Sequence, residues 1–118
     1  MRLLIILSLL TFSSLTWAWP WDDEPTQYRK AFYSYENCRY KAWNKADCAM
    51  DRDQYKCRTA ASELPCAEKK RELDEKRNLC KSSEFSPQQC DTARTDAINE
   101  LGADKWLTTN WNNPDFGK

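Results

Sequence analysis

The sequence predicts an all-α fold, either a small three-helix bundle or a helical hairpin plus a helix, stapled by three disulfides. Apolar residues recur at intervals of three, four and seven in three segments, whereas the alternation typical of strands never persists. The chain has 118 residues, enough for one domain, and six cysteines. Residues 19–118 contain five Leu, one Ile, one Met and no Val. Such a chain buries little aliphatic surface, so we expect covalent bridges to supply much of its stability.

Residues 1–18 are interpreted as a cleaved secretory signal peptide. Arg2 precedes an apolar run over residues 3–12, and a small-residue cleavage site ends at Ala18. The run is shorter than the roughly 20 residues that span a bilayer. We therefore expect an exported protein, extracellular or periplasmic, with no transmembrane segment after cleavage.

The first predicted helix follows an aromatic and acidic arm over residues 19–25 and begins near Thr26. Asp51 and Gln54 resemble a capping box, so the helix either breaks near residue 51 and restarts or continues to Ala61. Its apolar positions share one helical face; they are Tyr28, Ala31, Phe32, Tyr35, Cys38, Ala42, Ala46 and Ala49.

Two further helices complete the predicted disulfide-stapled domain, which spans residues 26–102. The second follows Pro65 and continues to about Cys80 or Lys81, with a stripe of Cys66, Leu73 and Cys80 at seven-residue intervals. The third begins at Ser86 and Pro87, where Gln89 completes a capping box, and ends at Gly102. Residues 103–118 are predicted to be a Trp-containing tail.

The six cysteines are predicted to form three disulfides, because an even count behind an export signal is typical of an oxidising compartment. They are Cys38, Cys48, Cys57, Cys66, Cys80 and Cys90. Cys57 and Cys66 flank the expected turn between the first two helices and are the preferred pair. The other four can pair as a ladder, Cys38–Cys90 with Cys48–Cys80. If the loop over residues 82–86 reverses the chain, they can instead pair as Cys38–Cys80 with Cys48–Cys90.

The intervals Cys38/Cys48 and Cys80/Cys90 each enclose nine residues. This twin spacing resembles that of the helical-hairpin proteins of the mitochondrial intermembrane space. The resemblance covers four cysteines and implies a hairpin closed by nested bridges, first to fourth and second to third. It implies no activity, and the predicted export signal favours a different compartment.

Composition argues against several functions. Lys plus Arg number 18 and Asp plus Glu number 18, so the chain lacks the basic excess of a nucleic-acid binder. It contains no His, the commonest general base and metal ligand, and only two Gly. The closest cysteines are nine residues apart, too far for a structural zinc motif. We therefore expect no enzyme, no cofactor and no metal site.

The remaining candidates are aromatic and basic side chains suited to binding. Tyr33, Tyr40 and Trp43 are predicted to lie off the inward face of the first helix, with Arg29 beside them. Trp106 and Trp111 are candidates in the tail, although helices or arms could cover any of these rings. We expect a non-enzymatic binding module that contacts a protein or a cell-envelope component. The alternatives are a membrane-active or toxin-like effector, with peripheral membrane contact, and a small hydrolase.

Overall fold

The computed structural model describes residues 22–112, which form helices and connecting turns without a strand. The helices are α1 (Glu24–Lys45), α2 (Gln54–Glu63), α3 (Ala67–Ser82), α4 (Pro87–Leu101) and α5 (Ala103–Asn110). The predicted all-α, disulfide-stapled fold is confirmed. The predicted signal peptide, residues 19–21 of the predicted arm and residues 113–118 of the predicted tail lie outside the described residues.

Local caps define where the first two helices begin. The Asp23 side chain accepts a hydrogen bond from the Thr26 amide at 2.8 Å, and this caps α1. Of the two alternatives left open for this segment, the structure shows the break: α1 ends at Lys45, and the N-cap of α2 is Asp53, whose carboxylate accepts from the Lys56 amide at 3.0 Å. Gln54 therefore makes no capping box with Asp51; its side-chain amide donates to the Asp51 carbonyl instead, at 2.9 Å.

The later helices begin and end near the predicted capping residues, and one further helix is present. Ser86 and Gln89 form the expected capping box at the start of α4. Gly102 ends α4 at φ +108°, a conformation that L side chains rarely adopt. The chain then continues at once into α5, so the segment after Gly102 is not simply a tail. Gly102 therefore connects two consecutive helices, whereas the sequence predicted the end of the helical domain there.

Helix α1 is the central element and packs against each of the other four described helices. The main apolar cluster joins α1, α3, α4 and α5; its buried members are Tyr28, Ala31, Phe32, Leu73, Cys80, Cys90, Ala93, Ala97, Leu101 and Trp106. Half of these are Ala or Cys residues, which accords with the shortage of aliphatic side chains in the sequence.

The buried face of α1 differs from the predicted stripe. Beyond Phe32 the buried positions are Glu36, Arg39 and Trp43, whereas Tyr35 and Ala42 are half-buried. The prediction followed apolar residues alone. Glu36 and Arg39 satisfy each other's charge, so they can occupy inward positions four and seven residues after Phe32 that an apolar pattern leaves out.

The disulfides join Cys38 to Cys66, Cys48 to Cys57 and Cys80 to Cys90. Both predicted ladders, the shared Cys57–Cys66 pair and the nested pattern implied by the resemblance are therefore wrong. Cys57 lies in the first turn of α2, whereas Cys66 follows the end of that helix and is the N-cap of α3, so the helix from Cys57 to Glu63, about 9 Å of rise, separates them. A disulfide requires a Cα–Cα distance of about 4.4–6.8 Å, which the observed pairs meet at 5.9 to 6.1 Å.

Candidate functional site

A cleft opens over the inward face of α1, between α2 and α3 on one side and α4 and α5 on the other. We call it the central cleft. Its volume is about 680 Å³, within the usual range of small-molecule sites. The α1 side chains at its floor are Phe32, Tyr35, Glu36 and Arg39.

The deepest part of the floor is a closed polar network between α1 and α5. Arg39 Nη1 donates to Glu36 Oε1 at 3.0 Å and to Asn110 Oδ1 at 3.1 Å, while Arg39 Nη2 donates to the Thr109 carbonyl at 2.7 Å. The Asn110 amide donates in turn to Glu36 Oε1 at 3.1 Å. Glu36 and Arg39 are 5% and 6% exposed, so this pair is held away from bulk water. Each charge is neutralised by the other, and the network fixes α5 on α1.

The walls of the cleft carry a second set of cations. On α3, Lys70 and Arg77 share the carboxylate of Asp74, at 3.6 Å and 3.1 Å. On α4, Arg94 lies over two aromatic faces, 5.5 Å from the centre of Phe32 and 5.7 Å from that of Trp106. Within residues 22–112, no carboxylate lies within ion-pair distance of Arg94. Two cations therefore share one acid on one wall, and a third has no acid partner in the described part of the chain.

The fold alters the pKa of Tyr35, at the floor of the cleft. Burial raises the pKa of its phenol above the ordinary value of 10.0, and the nearby positive charge of Arg39 opposes that increase. The hydroxyl consequently stays protonated across the physiological range. It is a neutral hydrogen-bonding group at the cleft floor rather than a source of negative charge.

The predicted binding residues of α1 occupy separate environments. Arg29 pairs with Glu100 of α4 at 3.2 Å. Tyr33 is half-buried and packs against the apolar cluster, and Tyr40 lies half-buried under Lys105 of α5, at 5.5 Å. Both rings are thus partly covered by neighbouring parts of the fold, and whether they bind a partner stays a prediction.

The three candidate tryptophans also separate. Trp43 is 6% exposed and contacts Tyr55 edge to face at 5.3 Å, so its prediction as an off-core residue is corrected. Trp106 is 8% exposed and lines the central cleft. Trp111 is 60% exposed and also contacts Tyr55 edge to face, with ring centres 5.2 Å apart. Whether any of them binds a partner stays a prediction.

Several residues of the cleft were absent from the sequence prediction, namely Glu36, Arg39, Tyr55, Arg77, Arg94 and Asn110. Helical spacing could have found the first two, because they continue the face of Phe32. Arg94 follows Cys90 by four residues and so lies beside the predicted core stripe of its helix. Asn110 belongs to α5, a helix that the sequence prediction omitted.

Hydroxyl groups also line the cleft. Its hydroxyl groups come from Tyr35, Tyr55, Thr59 and Ser62, and Ser62 donates its proton to the Thr59 carbonyl at 2.8 Å. Residues 22–112 contain no histidine that could activate these hydroxyl groups. The same residues contain no cluster of three or more His, Cys, Asp and Glu that could hold a metal ion. The same residues include no helix with the length and hydropathy needed to cross a bilayer.

No family model, curated protein or solved structure matches the chain. The three disulfides are typical of an oxidising, extracellular-type compartment.

Proposed function

We propose that the protein is an exported, non-enzymatic binding module that holds a small organic ligand in the central cleft. The observation that carries the proposal is the cleft itself, with about 680 Å³ of space above a floor whose buried charges already satisfy one another. Aromatic walls and a few polar groups are the usual composition of a small-molecule site. The hydrogen bonds at the floor form among protein groups alone, so they would maintain the shape of the cleft when no ligand is bound.

The polar network supports binding rather than catalysis. A catalytic acid or base has to exchange a proton with its substrate, whereas Glu36 and Arg39 are engaged with each other, with Asn110 and with the Thr109 carbonyl. The network therefore serves the geometry of the cleft.

The test is occupancy of the cleft by a neutral apolar probe, N-phenyl-1-naphthylamine, whose fluorescence rises when it leaves water. We expect saturable binding to the oxidised protein. Ala67→Phe, at an exposed position of the cleft wall, should weaken this binding about tenfold or more by occupying the space. Ala60→Phe is the matched control, since Ala60 is equally exposed on α2 but does not line the cleft. No saturable binding, or equal effects of the two substitutions, would overturn the proposal.

Export is supported by the apolar N-terminal run and by the three disulfides. Secretory expression should yield a mature chain beginning at Trp19 with no alkylatable thiol. Intact mass before and after alkylation measures both properties. A retained leader or an alkylated thiol in the unreduced sample would contradict this part of the proposal.

Contact with a protein or membrane through Trp111 is the second candidate function, favoured by the 60% exposure of this large aromatic residue. Tryptophan is common both at protein interfaces and at lipid interfaces. Flotation with liposomes separates the two: a membrane-active protein should float, and Trp111→Ala should abolish flotation. A protein that stays at the bottom of the gradient would exclude the membrane-active alternative under those conditions.

A further inference from the structure

The charges that line the central cleft do not balance at the end formed by α3 and α4. Lys70 and Arg77 divide the single carboxylate of Asp74 between them, and Arg94 faces them from α4 with no carboxylate within ion-pair distance in residues 22–112. The buried pair Glu36 and Arg39 adds no net charge. This end of the cleft therefore has an excess of positive charge.

Arg94 is held in an orientation that suits an anion. Its guanidinium lies over the rings of Phe32 and Trp106, 5.5 Å and 5.7 Å from their centres. Ring faces attract a guanidinium through their π electrons and leave its N–H groups to other acceptors. A planar fork of donors next to an apolar surface is the arrangement that recognises carboxylate-type groups.

The opposite wall limits how many negative charges a ligand can carry. Glu63 of α2 lines the cleft, and its carboxylate forms no ion pair with the described residues. It would repel a second anionic group placed towards α2. Aromatic rings of Tyr35, Tyr55 and Trp106 and the side chain of Leu73 provide apolar contacts between the two charged regions.

We propose that the central cleft binds an amphipathic organic monoanion, with its anionic group at Arg94 and Arg77 and its apolar body against Leu73 and the rings of Tyr35, Tyr55 and Trp106. This ligand class presupposes that the cleft takes a small molecule, as proposed above. It adds a sign and a direction: the ligand is anionic, and its charged end lies between α3 and α4.

Two fluorescent probes that share one aromatic body provide the test. N-phenyl-1-naphthylamine is neutral, and 8-anilinonaphthalene-1-sulfonate carries one sulfonate on the same framework. We expect the sulfonate to bind the oxidised protein about tenfold more tightly or better, because charge-assisted hydrogen bonds contribute more than neutral ones. Arg94→Gln should remove most of that difference, which is the ratio of the two affinities measured on the same variant and therefore does not depend on how the substitution affects the neutral probe.

Controls separate loss of charge recognition from loss of fold. Arg52→Gln removes the same charge from an exposed position outside the cleft and should change neither affinity. Circular dichroism checks folding, and Arg94→Lys, which keeps the charge but not the planar fork, should retain part of the preference. Ala67→Phe should weaken both probes.

The outcomes distinguish the two proposals. If both probes bind equally, or if the preference for the sulfonate persists in Arg94→Gln, the anionic ligand class is wrong while small-molecule binding stands. If neither probe binds, or if Ala67→Phe weakens neither, small-molecule binding in the cleft is itself wrong.

Discussion

Replacing Arg39 with Met should destabilise the protein far more than the same substitution at Arg71. Arg39 is 6% exposed and donates to Glu36, to Asn110 and to the Thr109 carbonyl. Arg71 also has two acidic partners, but its side chain is 62% exposed. The chemical change is identical at the two positions, so the comparison isolates the environment of the charge.

The expected magnitude follows from what each substitution leaves behind. Arg39→Met leaves Glu36, 5% exposed, without its cation, and the Thr109 carbonyl without the donor that was 2.7 Å away. Removal of one partner from a buried ion pair costs about 3–5 kcal/mol. Water and salt screen exposed pairs, so Arg71→Met should lower the free energy of unfolding by only a small fraction of that loss. In a domain of this size, about 3 kcal/mol lowers Tm by roughly 12 °C or more.

A double-mutant cycle completes the measurement. With Glu36→Gln also present, Arg39→Met leaves no uncompensated charge, so the pair of substitutions should cost less than the sum of the two single changes, by about 1 kcal/mol or more. Urea unfolding of the four variants, followed by circular dichroism, gives each free energy. Equal and small effects of Arg39→Met and Arg71→Met would refute the reasoning, because they would mean that water reaches the pair.

Three further measurements test the packing. Replacing Cys38 and Cys66 with Ala should lower the free energy of unfolding by about 3.6 kcal/mol, against about 2.6–2.7 kcal/mol for removal of either of the other disulfides. The reason is that Cys38 and Cys66 are 28 residues apart, whereas the other pairs are 9 and 10 residues apart. A smaller decrease than for the other two disulfides, measured by urea unfolding, would contradict this prediction. Tyr33→Ala with Tyr40→Ala should lower the free energy of unfolding by about 1–3 kcal/mol, because both rings are half-buried. A decrease below about 0.5 kcal/mol would mean that the rings are exposed. Burial raises the pKa of Tyr35, so its neutral form stabilises the fold fully below about pH 10 and this stabilisation is lost as the pH rises. Between about pH 9 and pH 11, the Tm of Tyr35→Phe should therefore decrease less than that of the parent protein. Equal decreases would contradict the raised pKa of Tyr35.

Elements defined by neighbouring residues could be predicted from the sequence. Ser86 and Gln89 form their capping box within four residues, and the stripe of Cys66, Leu73 and Cys80 is buried as its spacing indicates. The break after α1 was one of two alternatives that the sequence left open, and the helix that follows it is capped by Asp53. These features depend on contacts along one helix, which a helical repeat describes directly.

Features that depend on contacts between helices could not be predicted. The sequence places Trp43 off the apolar stripe, yet its ring packs on Tyr55 of another helix. Asn110 has no apolar spacing to mark it, and it is buried because Arg39 and Glu36 give it partners. The central cleft combines side chains from all five described helices, so its existence required their relative positions.

The shortage of aliphatic residues and the central cleft have a common physical basis. In a core-stabilised domain an unfilled interior costs stability, because the surrounding side chains lose dispersion contacts. Here the Cys38–Cys66 disulfide attaches the junction of α2 and α3 to α1, and Cys80–Cys90 attaches the end of α3 to the start of α4. Both walls are thereby joined covalently to the rest of the fold, in addition to the apolar cluster that α3, α4 and α5 share with α1. A chain stapled in this way can keep about 680 Å³ open beside a buried ion pair, and that open space is where the proposed ligand would bind.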